Sequence, residues 1–140
     1  MQNLKEICEE WAPRLGLAHW EIAVRWADEK DLEEMTPWAE SDVKFKPCAE
    51  KAVIRVKREG DYKQLDRSER HDVEAIVVHE LLHLVFPHFT YGEDDGIKDS
   101  LFDIGIDRIA KCLVKLKNCP CGDGKGGGKQ WTKKRRLSYL

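Results

Sequence analysis

The sequence predicts an α+β domain: an N-terminal helix, a sheet of about three strands, then two helices. Three observations carry this. Apolar residues recur at helical spacing near the N-terminus and again from Val73 onward. Between these stretches, three short segments alternate apolar and polar residues with period two. The chain has 140 residues, enough for one domain with a real core and too few for two ordinary ones.

From Asn3 to Arg14, residues Leu4, Ile7, Trp11 and Leu15 mark one face of an amphipathic helix, and Gly16 offers a stop. Trp20, Ile22, Val24 and Trp26 then alternate with His19, Glu21, Ala23 and Arg25, which predicts a half-buried strand with its large face on the core. The acidic stretch from Asp28 to Trp38 reads as a loop or a short helical excursion. Asp42 to Lys46 and Ala52 to Lys57 alternate on either side of a break at Pro47 to Lys51, the pattern of a hairpin with Pro47 near a sheet edge. Gly60-Asp61 closes it.

The next helix is expected to start at a capping pair, Asp66 and Glu69, and to end near Phe86, before Pro87. Val73, Ile76, Val77, Leu81 and Leu84 recur at helical spacing, while Val78, Leu82 and Val85 make its second half apolar almost all round. A last helix is expected from Ile97 to Lys117, with Phe102, Ile106, Ile109, Ala110, Leu113 and Leu116 along one side. Gly105 lies mid-helix, where glycine costs about 1 kcal/mol relative to alanine, and is read as permitting close approach to the preceding helix.

The chemistry concentrates in His79-Glu80-Leu81-Leu82-His83, an HExxH pattern within the apolar helix. Residues four apart on a helix point the same way one turn apart, so the two imidazoles address one spot, which suits a zinc ion. Glu80 falls on the neighbouring face, placed to take a proton from a water that zinc activates. The blander reading has the histidines satisfied by carbonyls in the core and Glu80 at the surface beside Arg55 or another cation. A catalytic zinc usually has three protein ligands, so a third must lie after Pro87. The longer motif HExxHxxGxxH fails, because Phe86 and Phe89 stand where its Gly and His belong. Asp99, Asp103 and Asp107 form a ladder of like charges four apart, which repel on a helix. Lys98, Arg108 and Lys111 compensate them in one reading. In the other, a metal takes one carboxylate and a second carboxylate orients a ligand histidine.

Formal net charge is −2, so the chain as a whole gives no reason to expect a nucleic-acid or anionic-membrane partner. No run approaches a membrane span and the N-terminus lacks the features of a signal peptide, which predicts a cytoplasmic protein. The five cysteines are expected to be reduced; Cys119 and Cys121 form a lone pair where a structural zinc site needs four ligands. Residues 1–117 read as the domain and 118–140 as a Gly-rich, basic, flexible tail. Trp131, Lys133, Lys134, Arg135 and Arg136 in that tail offer weak nucleic-acid contact, set against a simple solubilising role.

These residues resemble the gluzincin side of the zincin metallopeptidases, in which HExxH is followed by ExxxD in the next helix. Asp103-Ile104-Gly105-Ile106-Asp107 matches that spacing with Asp in the ligand place. Over residues 4 to 117 the chain is similar to small metallopeptidase-like proteins of phages and prophages, with a Trp-rich strand, a hairpin and a "VVHELLHLVF" helix. The resemblance implies a minimal zincin-like domain and a zinc-dependent peptidase acting on a protein or peptide. His79, His83 and Asp103 would be its ligands, Glu80 its general base and Asp107 the partner of a ligand histidine. Because Asp is one methylene short, Asp99, then Glu93, then His88 stand as substitutes for Asp103. Tyr91 and His88 are the nearest candidates to stabilise the oxyanion. SprT-like proteases, which act on DNA-bound proteins, also carry HExxH, but the zinc ribbon of some of them is missing here. The alternative is a non-catalytic, zinc-stabilised binding or regulatory module, associated with nucleic acid through its tail.

Overall fold

In a computed structural model, which describes residues 3–62, 71–87 and 96–119, the chain is a small α+β domain of four helices and a three-stranded mixed sheet. Side chains of the last segment are described from Asp99 onward. Helix α1 (Leu4–Arg14) is capped by the Asn3 side chain, which accepts from the Lys5 backbone N–H at 3.0 Å. It ends at Gly16, whose φ of +75° lets the Leu17 N–H turn back to the Ala12 carbonyl at 2.8 Å.

Strands β1 (Glu21–Trp26), β2 (Ser41–Lys46) and β3 (Lys51–Val56) lie in the order β1-β3-β2. The hairpin is present: β2 and β3 are antiparallel, with Asp42 opposite Arg55, and Pro47 opens a short 3₁₀ turn at the end of the β2 edge strand. Strand β1 pairs parallel to β3, Arg25 opposite Arg55. Strand β1 is half-buried as its alternation predicts, with Ile22, Val24 and Trp26 packed against the core from the edge of the sheet, while β3 takes the centre with Ile54, Arg55 and Val56 all buried.

The acidic stretch after β1 forms a short helix, α2 (Glu29–Glu34), closed by a reciprocal capping box between Asp28 and Asp31. Its role is electrostatic. Arg25 and Arg55 sit side by side across the parallel pair, and Asp31 answers both, in a two-pronged contact with Arg25 and at 3.1 Å from Arg55. Arg55, only 3% exposed, also donates through Nε to Asp42 at 2.8 Å and through Nη1 to Glu34 at 3.0 Å. Hydrogen bonds from Arg25 hold the Asp31 carboxyl well below its usual range, and Lys44 and Arg55 lower that of Glu34.

Helix α3 (Val73–Val85) starts later than expected, with Asp72 accepting from the Ala75 N–H at 3.1 Å; Asp66 and Glu69 lie outside the described residues. It is buried along nearly its whole circumference, against α1, the sheet and helix α4 (Gly96–Lys117). The buried stripe of α4 is Ile106, Ala110 and Val114. Ile109 and Leu116, expected on it, are exposed, because they fall roughly 100° or more from the centre of that stripe. Gly105 also departs from expectation: a Cβ there would meet nothing within 4 Å, so it does not bring α4 close to α3. Among the described residues no helix is long and apolar enough to cross a membrane, and Cys8, Cys48, Cys112 and Cys119 are free thiols.

Two outcomes follow from this packing. Gly105→Ala should stabilise the protein by roughly 0.5–1 kcal/mol in urea unfolding, with metal binding unchanged. Since Asp31 and Glu34 are depressed in the folded state, the unfolded chain binds more protons in acid. Their contribution is complete above about pH 5 and is lost as pH falls through the unfolded and then the folded values. Urea unfolding of metal-free protein between pH 6 and pH 3 should show that loss, with a shallower slope for Asp31→Asn.

Candidate metal centre

The HExxH stretch occupies the second half of α3, which packs its leucines in the core and borders a cleft of about 630 Å³ between β2, α3 and α4. Helical spacing brings the His79 and His83 rings to 5.1 Å between centroids, edge to face, and both side chains are mostly buried. Asp103 reaches them from the second turn of α4. Its Oδ1 stands 2.9 Å from His79 Nε2 and 3.3 Å from His83 Nε2. Among the described residues these three side chains form the group whose donor atoms all lie within 4.8 Å of one another.

The donor set fits a zinc ion. Bonds of about 2.0–2.1 Å in a tetrahedral site place ligand atoms about 3.3 Å apart; the His83–Asp103 separation of 3.3 Å matches that value and the His79–Asp103 separation of 2.9 Å is somewhat shorter. Two imidazoles and a carboxylate are also the mixed nitrogen and oxygen set found at catalytic zinc. On the far side of the His79 ring, Nδ1 is 3.6 Å from Oδ1 of Asp107, the place of a carboxylate that orients a ligand histidine. Asp107 is itself held by Lys111 at 2.7 Å. Phe102 packs edge to face on the His83 ring, whose Nδ1 is buried with no hydrogen-bond partner among the described residues.

Electrostatics follow from the crowding. Burial disfavours the His79 imidazolium, but the bond to Asp103 and the charges of Glu80, Asp103 and Asp107 outweigh it and raise its pKa. Asp103, accepting from both rings, is held well below the usual carboxylate range. Glu80 goes the other way. It is 4% exposed, and burial pushes its carboxyl up, opposed by the two histidines and by the Ser41 hydroxyl that donates to Oε1. The surface reading, with Glu80 beside Arg55, therefore fails, since Arg55 is taken up by Asp31, Glu34 and Asp42.

Asp99 stands in the first turn of α4, exposed and outside the cluster. His88, Tyr91 and Glu93 lie outside the described residues, as do Cys121 and the basic tail with Trp131, Lys133, Lys134, Arg135 and Arg136. Ser41 was not singled out by the sequence. A serine at the start of an alternating strand carries no signal, and its link to Glu80 comes only from the docking of β2 on α3.

Comparison does not name this site. No known protein family, curated protein or solved structure matches the chain.

Elemental analysis of protein purified without a metal-affinity tag should find about one zinc per chain, absent from His83→Ala. Asp107→Asn should keep the fold and bind zinc roughly 10–100-fold more weakly. Zinc affinity, measured by chelator competition, should fall as pH falls, because His79 must shed a proton to become a ligand and its neighbours favour the protonated form.

Proposed function

We propose that this chain is a zinc-dependent metallopeptidase of the HExxH, zincin-like kind, with His79, His83 and Asp103 as ligands and Glu80 as general base. The observation that carries the reading is the placing of Glu80. It is buried one residue from a ligand pair, its pKa is raised, and it lines the same cleft as that pair without belonging to the ligand group. A zinc ion bound there supplies Lewis acidity toward a scissile carbonyl and lowers the pKa of water toward neutrality.

The chain's own residues do the rest. His79 and His83 present Nε2 to the site, and Asp107 stands against the other nitrogen of His79. Glu80 accepts the proton of the attacking water and returns it to the leaving amine, work for which a raised carboxylate pKa is suited. The edge strand β2 borders the cleft through Ser41, Asp42 and Val43 and carries main-chain groups to which an extended peptide can hydrogen-bond. A non-catalytic zinc module has no need of a buried carboxylate beside its ligands that takes no part in holding the metal, which favours the hydrolase.

Glu80→Gln is the decisive variant. It should retain zinc and fold and lose roughly 10²–10⁴-fold in kcat on a cleavable peptide. Wild-type turnover in the variant would remove Glu80 from the role of general base, and no turnover by zinc-loaded wild type would assign the site to a binding module. The range of substrates should be narrow, and broad digestion of unfolded casein by wild type but not by the variant would contradict that.

A further inference from the structure

Among the described residues, one side chain donates a hydrogen bond to the buried Glu80 carboxylate, and it is Ser41. Glu80 is on α3 and Ser41 on β2, so this contact joins the proposed base to the wall of the cleft. The terminal torsion of a Glu side chain is soft, and burial alone does not fix the direction of its oxygens. A donor does. Removing the donor leaves a desolvated acceptor unsatisfied.

Ser41 is itself held from several sides. It opens β2 opposite Val56 of the central strand. Just before it, the Glu40 carbonyl accepts from the Lys57 N–H at 2.9 Å, and the Lys57 ammonium, 1% exposed, reaches the Thr36 carbonyl at 2.7 Å. Just after it, Asp42 receives two nitrogens of Arg55, which Asp31 and Glu34 anchor in turn. This end of an edge strand, where fraying is ordinarily easiest, is the most heavily tied part of β2.

We propose that Ser41 is a positioning residue for Glu80: its hydroxyl holds one carboxylate oxygen and so leaves the other to take the proton in the cleft. Arg55 and Lys57 act through it, by keeping the start of β2 in place. The assignment rests on the peptidase reading for its catalytic consequence, but the contact itself can be tested without turnover.

The first measurement compares zinc-loaded Ser41→Ala, Ser41→Thr and wild type on a cleavable peptide. Ser41→Ala should keep its zinc and lose roughly 10–100-fold in kcat, with KM changed less than about twofold, because the base is misdirected while ligands and cleft remain. Ser41→Thr, which restores a hydroxyl on a residue that suits a strand, should recover most of that loss. Wild-type kcat in Ser41→Ala, no rescue by Thr, or zinc lost together with turnover would each overturn the proposal.

The second measurement is a double-mutant cycle on the urea unfolding of metal-free protein, using Ser41→Ala, Glu80→Met and the pair. With Glu80 present, losing the hydroxyl should shift the unfolding constant about tenfold or more; with the apolar Met in its place the same change should shift it less than about twofold. Additive effects would overturn the contact whether or not the protein cleaves peptides. Coupling in the cycle, with no peptide cleaved by zinc-loaded wild type, would overturn the peptidase reading and leave Ser41 on Glu80.

Discussion

A helix buried on nearly every side can carry ionisable groups only where neighbouring elements bring them partners. Helix α3 carries four: Glu74, His79, Glu80 and His83. An unpaired buried polar or charged group costs several kcal/mol, against the 5–15 kcal/mol by which a whole domain is ordinarily stable. Each of the four is therefore a demand on the packing. Glu74 is met by the Trp11 indole of α1 at 2.8 Å and by the Lys117 ammonium of α4. Glu80 is met by Ser41 of β2, and the two histidines by Asp103 of α4. The apolar residues of α3 supply the driving force for burial, and its polar ones help specify which side chains of α1, β2 and α4 face it.

The sheet solves a related problem on its other face. Parallel pairing of β1 and β3 puts Arg25 directly beside Arg55, a like-charge contact that on its own opposes the pairing. The carboxylates of α2 and β2 reverse its sign. Asp31 bridges the two guanidinium groups, and Asp42 and Glu34 complete the neutralisation of Arg55. Breaking a buried cluster of this kind by removing one member is far more damaging than never having built it. The arrangement links α2, β1, β2 and β3 and also orders the strand end from which Ser41 reaches the cleft. In this chain the charge network and the candidate site are parts of one construction.

Much of this was legible in the sequence, for identifiable reasons. Periodicity gave α1, the three strands, α3 and α4, since burial of one face is what each pattern encodes. HExxH gave the histidine pair because four residues make about one helical turn. Asp103 could be ranked but not fixed, because Asp99, Asp103 and Asp107 share one side of a helix and only the depth and rotation of docking choose between them. Gly105 misled: the sequence shows a helix-weakening residue but not which way it faces, and it faces open space. Strand order and the Arg25 and Arg55 pairing set parallel strands side by side, and the Ser41 contact joins residues 39 apart. Local pattern carries none of that.

What separates a catalytic from a structural zinc environment is whether the protein closes the coordination sphere. Structural sites use four protein ligands, often thiolates, and exclude solvent; catalytic sites use three and leave room for water and substrate. Here the described donors number three, two nitrogens and one oxygen, and they line a cleft that also exposes the Asp103 carboxylate to 58%. Glu80 adds the second half of the distinction. It lines the same cleft but, accepting from the Ser41 hydroxyl, is turned to a partner other than His79, His83 and Asp103. A fourth ligand in its place would complete a structural site. A held carboxylate beside three such donors would instead suit proton transfer, and the proposed hydrolytic reading rests on that difference.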